Sequence, residues 1–222
     1  MVDRLGKIYA KLHDHFGPQG WWPADGPFEM VIGAILTQNT TWKNVEKAIS
    51  SLKAEGLLDP MNLIKTGPDE IQRLIRPTGY FRQKTERLLA VSYAIIDKWN
   101  GDLGDLFKKP VTQAREELLN LKGLGPETVD SILLYAGNKP VFVVDAYSKR
   151  ICERLGLIKT KDYYELQRFF ERNTPVDVEV YKEYHALLVA LAKEYCRSNK
   201  ANMKCHLCPL EADCETGILA QV

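Results

Sequence analysis

Proline cuts this chain into helix-length pieces. Gly17-Pro18, Gly26-Pro27, Gly67-Pro68, Arg76-Pro77, Lys109-Pro110 and Thr174-Pro175 each mark a turn or a helix start, because a residue with fixed φ and no N–H fits a first helical turn but not a helix interior. Asp59-Pro60 does the same for a shorter helix, and Asp69 and Glu70 follow Pro68 where a first turn prefers acids. Between these breaks apolar residues recur at helical spacing, as in Ile64, Ile71, Leu74 and Ile75, then Leu88, Leu89, Val91, Ile95 and Ile96. Strand-type alternation is hard to find, so the pattern predicts an all-α protein of about ten helices.

The chain has 222 residues, 45% of them apolar, enough to fill the core of one large domain or two small ones. Lys and Arg number 30 against 29 for Asp and Glu, a net charge of +1. Attraction to nucleic acid or membrane must therefore come from a local patch. The longest uncharged apolar runs, residues 30–36 and 132–136, fall far short of the roughly 20 residues of a membrane span. Residues 1–6 carry charge early and lack a signal-peptide stretch, so a reducing, cytoplasmic location is expected and disulfides are the lesser use of five Cys.

Cys196, Cys205, Cys208 and Cys214 follow a C-x8-C-x2-C-x5-C spacing, while Cys152 stands alone in a helical pattern and reads as core. Four clustered thiols in a reducing compartment point to a metal, and the spacing leaves zinc and a [4Fe–4S] cluster both open. Arg197, Lys200 and Lys204 lie in the same loop with no acid between Tyr195 and Cys205, making either a local positive patch or a solvated loop.

Leu121-Lys122-Gly123-Leu124-Gly125 joins two helical patterns, residues 113–120 and 126–136. Its glycines permit positive φ and bare backbone N–H groups at a helix start, which suits a phosphate oxygen; an ordinary αα-hairpin with a glycine cap gives the same pattern. The apolar segment 141–144 then delivers Asp145 directly ahead of the next helical pattern. That carboxylate can be an N-cap, a catalytic group, or both.

In these segments, Leu121 to Gly125 and Val143-Val144-Asp145, the sequence resembles the helix-hairpin-helix (HhH-GPD) DNA glycosylase superfamily, and specifically its endonuclease III-like members. The resemblance extends over nearly the whole chain. It implies two helical subdomains: a central helical barrel over 22–137 carrying the helix-hairpin-helix at about 113–136, and an N/C-terminal subdomain of 1–21 plus 138–222 with the cluster loop at 196–214. It favours [4Fe–4S] over zinc, although the family's first cysteine interval is two residues shorter. It implies Asp145 as the catalytic carboxylate, phosphate contacts from Lys122, Gly123, Leu124, Gly125, Arg197, Lys200 and Lys204, and a monovalent cation at the hairpin carbonyls. Gln38 and Tyr80 match the family's gap-filling loops.

Bifunctional members carry a Schiff-base Lys where this chain has Glu127, and a carboxylate cannot form an imine. The resemblance therefore implies a monofunctional enzyme that flips out and hydrolyses a damaged base from double-stranded DNA, acting as a monomer. Trp21, Trp22, Pro23 and Trp42, with Glu127, are the expected base pocket, and indole faces favour a cationic ring. These residues resemble the 3-methyladenine DNA glycosylase III branch, so an alkylated purine is the expected base, although the best-known member of that branch lacks the four-Cys cluster. The alternatives are a thymine/uracil mismatch glycosylase, an endonuclease III-like enzyme with residual lyase activity, and a non-catalytic DNA-structure binder.

Overall fold

A computed structural model describes residues 2–216 and contains, among them, twelve α-helices and no strand. The chain divides into two compact units, residues 22–139 and residues 1–21 with 140–222. The first holds eight helices: α2 (Pro27–Leu36), α3 (Trp42–Ala54), α4 (Pro60–Lys65), α5 (Pro68–Ile75), α6 (Phe81–Lys98), α7 (Leu103–Phe107), α8 (Val111–Leu119) and α9 (Pro126–Ser131). The second holds α1 (Val2–Phe16), α10 (Ala146–Arg154), α11 (Tyr163–Asn173) and α12 (Val178–Glu194).

In the 22–139 unit α2 is the centre. Seven consecutive residues, Met30 to Leu36, are buried, as expected of a helix that is apolar all round. Around it α3 turns in Val45, Ala48, Ile49 and Leu52, and α6 turns in Leu88, Val91 and Ile95. Shortening any of these to Ala costs about 2–5 kcal/mol where a Leu or Ile is lost. Buried Trp99 satisfies its indole N–H on Glu117, 2.8 Å away. The helix starts follow the sequence: Asp59 caps α4 through the Asn62 amide, and Asp102 caps the short α7 through Gly104.

One element departs from expectation. The helical pattern over 126–136 is α-helical only to Ser131 and then widens into a π-turn, Ile132–Ala136. Such a turn shifts the register of the downstream residues by one position.

In the other unit, Leu5, Ile8 and Leu12 of α1 are buried, and the Tyr184 hydroxyl of α12 donates to the Leu5 carbonyl at 3.0 Å. Residues 141–144 are buried without being helix or strand. Backbone polarity there is met by side chains: the Phe142 carbonyl accepts from Gln167 at 2.7 Å and its amide donates to Glu171 at 3.1 Å. The Phe142 ring stacks on Phe170 with centroids 4.1 Å apart. This fixed segment sets the direction in which Asp145 enters α10.

Candidate active site

Asp145 is 7% exposed and is the N-cap of α10. Its Oδ1 accepts the Ser148 amide at 2.7 Å, and the Ser148 hydroxyl in turn accepts the Asp145 amide at 2.8 Å, a closed capping box. Its Oδ2 lies 3.5 Å from Nε2 of His185, on α12. Burial pushes this carboxyl up, but the His185 contact, followed by the Ser148 amide and hydroxyl, outweighs it and holds the group below the ordinary carboxylate range. The result is a buried carboxylate kept ionised at a helix N-terminus, with one oxygen used in the cap. Cys152, on the same helix, is 1% exposed, and burial with the nearby Asp145 charge pushes its thiol up to about 12, which leaves it inert.

His185 carries no motif signal. His185 sits in the buried run of α12 between Tyr184 and Ala186, where a histidine reads as core. A serine three residues after an acidic N-cap is the one available signal for Ser148.

In this unit Trp21 packs edge-on to the His185 ring at 6.0 Å, and the Lys193 ammonium lies 5.6 Å from its face. The four cysteines Cys196, Cys205, Cys208 and Cys214 line one cavity, with Arg154, Tyr195, Met203 and Glu211. None is in a disulfide. Arg154 Nη1 donates to Cys196 Sγ at 3.2 Å, and Cys214 Sγ donates to the Arg154 carbonyl at 3.3 Å. Burial, with neighbouring sulfurs adding to it, pushes Cys208 up to about 11, a repulsion that a shared positive centre would relieve. No group of three or more metal-ligating side chains converges on a single-ion position among the described residues. Arg197, Lys200 and Lys204 are exposed around this loop.

In the 22–139 unit the structure brings together Trp22, Trp42 and a residue not anticipated, Tyr135. The Trp22 ring meets Trp42 at 5.4 Å and Tyr135 at 5.3 Å, both edge-on. Gly33 makes room for them: a Cβ there would come within 3.1 Å of the Trp22 indole nitrogen. Tyr135 belongs to the π-turn, so its orientation depends on a register shift that helical spacing does not reveal. Pro23 and Glu127 are exposed, Glu127 in the first turn of α9.

The hairpin turns at Gly123, with φ +88°. A side chain there would also strike the Arg87 side chain, so glycine is required twice over. Lys122, Gly123 and Gly125 are exposed and Leu124 is buried beneath them. The hairpin's two helices are clamped by Arg115, which makes a bidentate pair with fully buried Asp130, at 2.7 and 3.0 Å. Gln38 Nε2 donates to Thr128 Oγ1 at 2.8 Å, and Arg87 donates to Gln38 Oε1. Tyr80 is 64% exposed at φ +47°, a left-handed conformation that is rare for a bulky residue.

The HhH-GPD superfamily base excision DNA repair model matches residues 32–176. MJ1434 of Methanocaldococcus jannaschii, named a DNA repair glycosylase, is 46% identical over 215 residues, 96% of each chain. The crystal structure of Helicobacter pylori 3-methyladenine DNA glycosylase (MagIII), bound to 1,N6-ethenoadenine, superposes with a TM-score of 0.74 at 30% identity, covering 86% of this chain and 95% of that one. Endonuclease III trapped as a covalent intermediate with DNA superposes at 0.85, covering 100% and 99%, at 23% identity; that likeness carries the fold.

Proposed function

The chain belongs to the HhH-GPD superfamily of base excision DNA repair proteins and is a DNA glycosylase, and from that premise we propose that it removes an alkylated purine such as 3-methyladenine from double-stranded DNA by hydrolysis alone. The observation that carries the reading is a carboxylate, Glu127, where the lyases of the family carry their amine, in a chain that keeps Asp145 as a buried carboxylate at the start of α10. The flipped base would stack in the Trp22, Trp42 and Tyr135 group, whose indole faces stabilise a cationic ring by about 0.5–2 kcal/mol. The 30% identity to MagIII, whose structure holds 1,N6-ethenoadenine, supports a purine there.

Asp145 would orient a water and take its proton as the water oxygen bonds to the sugar C1′. The C1′–N bond breaks at the same stage, and the base leaves with that electron pair. The same negative charge stabilises the positive charge that develops on the sugar. Gln38 and Tyr80 would fill the space of the flipped nucleotide, since the base cannot be reached inside the stack. The hairpin backbone at Lys122 to Gly125 and the basic side chains Arg197, Lys200 and Lys204 would take phosphates, which position the duplex without reading its sequence. The hairpin carbonyls would offer hard oxygen donors to a monovalent cation.

Cys196, Cys205, Cys208 and Cys214 would hold a [4Fe–4S] cluster; that they line one cavity, none of them in a disulfide, supports a shared centre. When bound, such a cluster supplies a rigid cross-link for the loop bearing Arg197, Lys200 and Lys204.

The test is chromatographic analysis of free bases released from methylated duplex DNA by wild type and Asp145→Asn. Release of 3-methyladenine by wild type, falling about 10²–10⁴-fold in the variant with DNA binding kept, is expected. Alkali-labile sites in T·G or U·G duplexes without any methylated purine would overturn the pocket assignment.

A further inference from the structure

Among the described residues, Lys84 is the one lysine with no exposed surface. It is the fourth residue of α6 and lies on that helix's apolar stripe with Leu88, Val91 and Ile95. No carboxylate of the described residues meets it. Its Nζ donates to two backbone carbonyls, Leu36 and Thr78, each at 2.8 Å. The charged group acting on it is Arg87, of like sign. Burying an amine without a counter-ion is unfavourable, and Met or Leu would fill the same stripe without that cost. The amine must therefore do something that a methyl group cannot.

The two carbonyls identify what it does. Leu36 ends α2, two residues before Gln38; Thr78 ends the 3₁₀ turn Arg76–Thr78, two residues before Tyr80. We propose that Lys84 is a positioning residue that clips the Gln38 and Tyr80 loops to each other, fixing their separation so that both enter the gap left by one flipped nucleotide. This rests on the reading of the chain as a base-flipping glycosylase.

Two further observations agree. Each loop carries a non-glycine residue in the left-handed region, Asn39 at φ +54° and Tyr80 at φ +47°; asparagine adopts it readily, but for a tyrosine it persists only where the surroundings over-determine it. Arg87, one turn along α6, bonds the Gln38 side chain, so the same helix orients the tip as well as the base of that loop. A neutral amine retains two N–H donors for two carbonyls, so the clip survives loss of the proton.

The probe is a duplex carrying a tetrahydrofuran abasic analogue flanked by 2-aminopurine, beside the same duplex unmodified. Such a gap asks for loop insertion without any lesion or chemistry. For the holoprotein, affinity and 2-aminopurine fluorescence are read for wild type, Lys84→Met and Lys84→Gln. Each is also read in a Gln38→Ala/Tyr80→Ala background, with helical circular dichroism and melting temperature checked for every variant. Wild type should prefer the abasic duplex. Lys84→Met should lose about tenfold of that preference with binding to unmodified duplex unchanged, and should lose nothing further in the double-alanine background, because residues acting as one unit are non-additive. Lys84→Gln, whose terminal nitrogen lies one bond nearer the backbone, is the second variant if Met does not fold. Equal weakening on both duplexes, or the same loss in both backgrounds, would make Lys84 purely structural and overturn the proposal. A wild type with no preference and no fluorescence change would instead remove the base-flipping reading, and the proposal with it.

Discussion

At the scale of single residues, Asp145 is held ionised against its own burial by a histidine from another helix. Base release that needs this carboxylate should therefore persist below the ordinary carboxylate range. His185→Gln removes the largest contact opposing burial and leaves only the Ser148 bonds against it, so the acid limb of the single-turnover rate should move to higher pH. Stability has the same sign: a folded-state value below the unfolded 3.8 adds stability that is present above 3.8 and lost as pH falls through the lower value. Lys84 runs the other way. Burial holds it at about 8 against 10.5 in the unfolded chain, and between those values only the unfolded chain keeps the proton. Melting temperature should gain from this group as pH rises across that window, a gain that Lys84→Met abolishes. Glu127 yields a chemical test: borohydride should trap no covalent adduct between the wild type and DNA, and a trapped adduct would show that an amine such as Lys122 serves as nucleophile.

At the scale of elements, the Arg115–Asp130 ion pair and Gly123 both hold the hairpin. Asp130→Ala removes the carboxylate that Arg115 grips with two bonds and should cost about 3–5 kcal/mol in denaturant unfolding. Gly123→Ala forces an alanine to φ +88°, which alone costs about 1–2 kcal/mol and lowers the melting temperature. The elements themselves are largely legible in the sequence. Gly26-Pro27, Asp59-Pro60 and Gly67-Pro68 start helices in the structure as in the sequence, because proline and N-cap effects are local. Asp145 is legible for the same reason, as an acid between a buried segment and a helix. Lys84, His185 and Tyr135 are not. Each owes its place to a partner far along the chain or, for Tyr135, to a π-turn that helical periodicity does not encode. A lysine on the stripe with Leu88, Val91 and Ile95 is a visible irregularity, but its two carbonyl partners exist only in the folded unit.

At the scale of the whole molecule, a net charge of +1 leaves DNA affinity to local groups. Replacing Arg197, Lys200 and Lys204 together by Gln should flatten the slope of log affinity against log salt by about 3, one for each phosphate no longer neutralised, with little change in sequence preference. The all-α fold and a family likeness spanning the chain are readable because motif order survives where pairwise packing is hidden. The order of the two units along the chain bears on how the protein is made. Residues 22–139 form a compact unit placed between the two stretches that build the other, and Leu5 bonds to a tyrosine 179 residues later. During synthesis at about 5–20 residues per second, α1 leaves the ribosome on the order of ten to tens of seconds before α12 exists. Through that interval α1 waits for the helix it packs on, so Leu5, Ile8 and Leu12 are apolar residues that a ribosome-bound chaperone would meet.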